Sequence, residues 1–175
     1  PEASVASDGL VQIAALDRDR VIAALEDALY FAKVSSYAQG MAMLRLASER
    51  DAISVIDDQH GAPTGAELLA DATAQAIRTA AQRPDVSGTY HLAASGETTW
   101  HDYARHVIGR ARTAGRPLKV TDEAIRAVPS SAFPTPAKRP SNSRLDTARV
   151  RRTFGLALPD WRAGVDRMLD EVLER

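Results

Sequence analysis

Apolar positions recur at helical spacing through the first third of the chain. Val21, Leu25, Leu29, Val34, Tyr37, Met41 and Leu44 form one stripe, and the pattern predicts a long helix from Asp17 to Arg50. Gly40 interrupts it at a cost of about 1 kcal/mol relative to alanine. Residues 1–16 are weakly patterned and read as a loose end. The period then shortens. AISVIDD (52–58) reads as a strand, HGAPTGAE turns the chain, and a helix follows from about Gly65 to Gln82. Leu68, Leu69, Ala72, Ala76 and Ile77 would form its inner face. Thr64 stands three residues ahead of Glu67, a capping-box spacing that makes Thr64 the expected N-cap.

After the turn-rich QRPDVSG, TYHLAA (89–94) reads as a second short strand. Thr99 and Asp102 repeat the capping-box spacing at the start of a helix that closes at Gly115. PLKVTDEAI (117–125) holds a third strand. Pro129, Pro134, Pro136 and Pro140 make residues 128–143 a loop rather than a helix. DTARVRRTFG is a short helix closed by Gly155. In the last helix, LPDWRAGVDRMLDEVLER, one face carries Trp161, Val165, Met168, Leu169 and Val172. The fold class is therefore α/β and mostly helical. Three short strands are too few for an independent sheet and read as strands that add to something else.

Composition narrows the function classes. The chain has 175 residues, 45% apolar and 26% charged, with a net charge of −1. That is room for one domain and a small appendage, with no global field favouring nucleic acid or an anionic membrane. It contains no cysteine, which excludes disulfides, thiolate metal sites and cysteine nucleophiles and fits a reducing compartment. PEASVASDGL has no basic flank or apolar core of a secretory signal, and no apolar run approaches the roughly 20 residues that span a bilayer. The expectation is a soluble, cytoplasmic protein with neither nucleic acid nor membrane as partner.

Familiar catalytic signatures do not occur. There is no GxGxxG, GxxxxGK[ST] or GxSxG, and no tyrosine has a lysine four residues later. Tyr30 and Lys33 read as a surface pair. His101 and His106 are five apart, not the four that bring two imidazoles to one metal from a helix. Three segments are candidate sites. DDQHGAPTGAE suits a turn stiffened by Pro63 and a binding loop equally well. PTPAKRPSNSRLD (134–146) is stiff and cationic through Lys138, Arg139 and Arg144. Between Arg116 and Arg152 stand nine Lys or Arg against three Asp or Glu, a surplus that suits a phosphate or diphosphate, although charge runs are usually solvated surface. In TTWHDY, Trp100 could stack on a ring or cap a core.

Longer stretches carry a resemblance. MLRLASERDAISVIDDQHGAPTGAELLADATAQAI, GTYHLAASGETTWHDYA, VPSSAFPTPAKRPSNSRLDT and LPDWRAGVDRML resemble the C-terminal part of dTDP-4-dehydrorhamnose reductase, an extended short-chain dehydrogenase. The likeness covers about residues 43–175. It implies a substrate-binding part without a complete Rossmann domain, and a reaction in which NADPH reduces the 4-keto group of dTDP-4-dehydro-L-rhamnose. It also implies that Gln59, Gly61, Pro63 and Thr64 lie beside the sugar-nucleotide cleft, and that Arg139, Asn142, Ser143 and Arg144 close over it. Some members bind Mg²⁺ through glutamates at a dimer contact, and Glu67 and Glu171 match two such positions.

The resemblance has gaps. The glycine-rich NADPH loop and the catalytic Thr, Tyr and Lys of the family have no counterpart, so no catalytic residue is assigned and no cofactor-binding residue either. In their place residues from about 20 to 45, carrying ALEDALYFAKVSSYAQGMAMLR, resemble a helix of 6-phosphogluconate dehydrogenase. The expected organisation is an N-terminal segment with the long helix over 1–42 and a sugar-nucleotide domain over 43–175. The expected function is the substrate side of the reductase, inactive alone. The alternatives are a non-catalytic chimeric or helical module, or a 6-phosphogluconate dehydrogenase fragment. The expected partners are a dTDP-sugar and either a second copy or a chain supplying the Rossmann half.

Overall fold

The computed structural model describes residues 40–134, 136 and 139–173, together with Ala23, Asp27 and Ala38. The loose end over 1–16, most of the expected helix between Asp17 and residue 39, the Tyr30–Lys33 pair and Lys138 lie outside the described residues. The chain is α/β, with helices around two very small sheets.

Helix α1 is described over residues 40–49. Strand β1 (Ile53–Ile56) leads to the two-residue β2 (His60–Gly61), and helix α2 spans Ala66–Gln82. A 3₁₀ turn (Pro84–Val86) follows, then β3 (Thr98–Thr99), helix α3 (Trp100–Thr113) and β4 (Ile125–Val128). A second 3₁₀ turn (Ser130–Ala132) and helices α4 (Ala148–Phe154) and α5 (Trp161–Leu173) complete the order. β1 pairs in parallel with β4 in the register Ile53↔Ile125 and Val55↔Ala127. β2 pairs antiparallel with β3 through His60↔Thr99 and Gly61↔Thr98.

Three apolar clusters hold these elements. Ala47, Ile53, Val55, Ala104, Ile108, Val120 and Ile125 join α1, the β1–β4 pair and α3. Tyr103, Val107, Trp161, Val165 and Leu169 join α3 to α5. Val86, Val150 and Phe154 anchor α4, with Tyr90 and Leu92 packed against them. Trp161, Ile108, Leu169, Val107 and Val120 are the largest fully buried side chains, and burial of each contributes roughly 1.5–3 kcal/mol.

Local chemistry explains the helix ends. Thr99 caps α3, its hydroxyl accepting from Asp102 N at 3.2 Å. Gly115 follows that helix at φ +77° and Gly155 closes α4 at φ +63°, the left-handed region glycine enters without penalty. Gly40 is buried inside α1, where a Cβ would come within 2.8 Å of Met168 Cε. The residue that interrupts the apolar stripe is thus the one that lets α1 approach α5.

Several expectations are corrected. Gly65, not Thr64, is the N-cap of α2, and it has no side-chain cap hydrogen bond. Ile77 is 59% exposed and Met41 55% exposed, because the inner faces of their helices rotate toward Ala72 and Ala47. Residues 89–94 form no strand. Their alternation serves packing only: Tyr90 meets Phe154 edge-on at 4.8 Å, while Ala94 N–H is taken by the Thr64 hydroxyl at 3.0 Å. The third strand lies at Ile125–Val128 rather than in 117–125. Lys119 and Val120 both donate to Ala47 O at 3.1 Å, which uses those residues to close the end of α1. Val55 is buried and Ile56, Tyr90 and Leu92 are half-buried within this chain.

Candidate functional site

The turn after β1 is built by its own acids. Asp57 Oδ1 accepts from the Thr99 hydroxyl at 2.6 Å, which ties the turn to the cap of α3. Asp58 accepts from Ser130 N at 2.9 and 3.0 Å and from Ser130 Oγ at 3.0 Å, which ties it to the loop beyond β4. The Ser130 amide holds the Asp58 carboxyl below its ordinary range.

Next in the chain, the His60 backbone receives the proline-rich loop. His60 N donates to Ser141 O and Ser143 N donates to His60 O, both at 2.8 Å. Asn142 sits between these two bonds, bridged to His60. Thr64 then turns its hydroxyl to Ala62 O at 3.0 Å while accepting from Ala94 N. Gly65 meets Gly164 of α5, where a Cβ on Gly164 would stand 3.6 Å from Gly65 N.

These contacts enclose a cavity of about 600 Å³. Gln59, Gly61, Pro63 and Thr64 line it from the turn, and Arg139, Pro140 and Ser143 from the loop. Trp100 and Tyr103 of α3 and Gly164, Val165 and Met168 of α5 form the far wall. The wall is therefore largely apolar with a few polar groups and one guanidinium, the character of a small-molecule site.

Of the eight residues expected at a substrate, six line this cavity. Asn142 and Arg144 do not. Asn142 Oδ1 accepts from Arg144 N at 3.1 Å and Nε at 2.9 Å, and Arg144 Nη1 pairs with Glu97. Arg144 instead borders a second, smaller cavity of about 260 Å³ together with Thr64, Leu92, Gly96 and Ser143. Its hydrogen bond holds the Glu97 carboxyl below the ordinary range. Of the two glutamates expected at a metal, Glu67 lines the large cavity and Glu171 lies 3.7 Å from Arg167 Nε. Among the described residues no group of three or more His, Cys, Asp or Glu is arranged to hold a metal ion. His101 and His106 are used separately: His101 Nε2 lies 3.2 Å from Ile125 O, and His106 Nε2 lies 2.7 Å from Asp166 Oδ1.

Tyr103, Val165 and Met168 were not foreseen at the site. Their helical spacing marks them only as inner-face residues, and nothing local says that part of this face is left open. Burial raises the Tyr103 hydroxyl above the ordinary tyrosine range, away from the near-neutral value that suits an acid catalyst. The arrangement is equipped to bind and orient a ligand.

The same start of α2 is a poor seat for a dinucleotide. Pro63 and Thr64 stand in the turn, and Glu67 Oε2 reaches within 3.3 Å of where a Gly65 Cβ would be. A carboxylate at the helix N-terminus occupies the favourable field that a diphosphate would use.

The sequence matches the RmlD substrate binding domain over residues 28–174. The chain belongs to that family. It is 56% identical over 144 residues to the dTDP-4-dehydrorhamnose reductase of Escherichia coli K12, a match covering 82% of this chain and 47% of that protein. The Salmonella typhimurium reductase is 57% identical over the same shares. The chain thus spans about half the length of the curated relatives it matches. Among solved structures, the Bacillus anthracis reductase in complex with NADP superposes with a TM-score of 0.63 at 30% identity, covering 75% of this chain and 42% of that one. The Clostridium acetobutylicum reductase gives 0.60 at 27% identity, covering 76% and 43%. Among the described residues no helix is long and apolar enough to cross a membrane.

Proposed function

We propose that this chain forms the sugar-nucleotide side of a dTDP-4-dehydrorhamnose reductase and holds dTDP-4-dehydro-L-rhamnose for reduction by NADPH. The observation that carries the reading is the single cavity that gathers Gln59, Gly61, Pro63, Thr64, Arg139 and Ser143 in a chain whose relatives bear the reductase's name. Among the described residues that line the cavity, Arg139 offers its guanidinium to the diphosphate. Asn142 and Arg144 support the loop from behind. Residues 43–175 act as the substrate-binding unit, preceded by the N-terminal segment and long helix over 1–42.

NADPH, when bound, supplies the hydride, and the residues at the start of α2 do not fit its diphosphate. On this reading these 175 residues hold the substrate and do not turn it over alone. The protein works in the cytoplasm. Glu67 and Glu171 contribute to a Mg²⁺ site only across a contact between two copies, since a hard cation keeps its waters unless several oxygens meet it.

Thermal unfolding with dTDP and with NADPH tests the reading. Saturating dTDP raises Tm and NADPH does not. A shift with NADPH alone, or NADPH oxidation by the purified chain on dTDP-4-dehydrorhamnose, overturns it.

A further inference from the structure

Trp100 is the residue of the cavity wall that the fold does not account for. It is the first residue of α3 and is 36% exposed, although it lines the cavity. Indole is the largest apolar side chain, and leaving its surface in water forgoes stabilisation that burial would supply. The neighbouring aromatics are spent differently. Tyr103 is 6% exposed and Trp161 1%, and both belong to the α3–α5 core.

Trp100 is also held in place. Thr99, immediately before it, is fixed on two sides by Asp57 and by the Asp102 amide. The Trp100 ring meets Tyr103 edge-on, with centroids 6.1 Å apart and planes at 89°. With 36% of its surface exposed at the cavity, Trp100 still offers indole surface to a ligand there. Pro140 and Arg139 of the loop line the same cavity. A fixed aromatic face and a guanidinium on one apolar cavity suit a planar ring joined to a phosphate, because the face stacks without needing hydrogen bonds and the guanidinium takes the anion.

We propose that Trp100 is the stacking platform for the pyrimidine base of the nucleotide bound in this cavity, with Arg139 on the attached phosphate. This rests on the sugar-nucleotide reading and deepens it: recognition of the nucleotide end falls to α3 and the proline-rich loop. A sugar ring could also lie on an indole, so the test separates the two.

The chain has only two tryptophans, and Trp161 is buried. Ligand-induced changes in tryptophan emission therefore report Trp100, and calorimetry measures binding independently. In the unmodified chain, dTDP and dTMP quench emission whereas glucose 1-phosphate does not. Trp100→Phe keeps a stacking ring, binds dTDP, and loses the quench. Trp100→Ala weakens dTDP on the order of ten- to a hundredfold, with circular dichroism matching the parent to show that it folds. Binding of dTDP with unchanged Trp100 emission and equal affinity for Trp100→Ala overturns the platform and leaves the site reading intact. Quenching by glucose 1-phosphate but not by dTMP overturns the base assignment. No calorimetric binding of dTDP to the unmodified chain overturns both the platform and the reading beneath it.

Discussion

The Thr99 hydroxyl donates to Asp57 Oδ1 at 2.6 Å and accepts from Asp102 N at 3.2 Å. One oxygen thus caps α3 and fastens the turn after β1 to it. Thr99 is 7% exposed, so water replaces it poorly. Thr99→Ala loses an N-cap and a hydrogen bond to a carboxylate, together about 2 kcal/mol. Thr99→Ser keeps both. Urea unfolding midpoints measure the difference, and equal midpoints for Ala and Ser would show that the clamp contributes nothing.

Gly96 is required by both backbone and space. Its φ is +79°, and a Cβ would stand 2.5 Å from Asp160 Oδ2 and 3.3 Å from Trp161 Cδ1. Ser95 on one side is already bonded to Pro159 O and to Trp161 N, so the segment has no freedom to shift. Gly96→Ala is expected to destabilise by about 1–3 kcal/mol, read as a lowered Tm.

Leu169 is 1% exposed between α3 and α5. Leu169→Ala leaves a cavity beside Trp161 and Val165 and costs about 2–5 kcal/mol. A domain of ordinary stability, about 5–15 kcal/mol, then survives with a lower denaturant midpoint, whereas Ile77→Ala on the exposed face changes the midpoint little.

Acid acts on the two carboxyls that hold the loops. Asp58 is held below its ordinary value of 3.8 by the Ser130 amide, and Glu97 below 4.5 by Arg144. A depressed folded value means that the unfolded chain takes up protons first. The stabilisation is complete above those ordinary values and is lost as pH falls through the depressed ones. Unfolding midpoints measured from neutral pH to below about pH 4 should decline, and the decline should be shallower in Asp58→Asn.

The arginines of the loop should separate. Arg139 lines the large cavity, whereas Arg144 is engaged by Asn142 and Glu97. Arg139→Ala is expected to reduce dTDP affinity on the order of tenfold, as loss of a charge-assisted contact does. Arg144→Ala should lower Tm more than it lowers affinity. Isothermal calorimetry beside thermal unfolding reads both.

Features that depend on a few neighbouring residues were legible in the chain itself. Thr99 and Asp102 announce a cap because the hydroxyl and the amide it satisfies are three residues apart. Gly115 and Gly155 announce helix ends because only glycine enters the left-handed region freely. The periodicity of Trp161, Val165 and Leu169 marks a buried face, and the ordered motifs mark the family. The same logic misplaced Thr64, whose spacing to Glu67 suits a cap but whose hydroxyl serves Ala94, thirty residues on.

Tertiary structure alone decided what those elements enclose. Parallel pairing of Ile53 with Ile125 selects a strand later than propensity suggests, because 119 and 120 are taken by the end of α1. Which loop residues face a cavity follows from the two bonds between His60 and the 141–143 segment, and no local pattern encodes them. Tyr103 and Trp100 look alike as aromatics near a helix start. One is 6% exposed and the other 36%; Tyr103 is buried through its packing with Trp161, Val165 and Leu169, about sixty residues on.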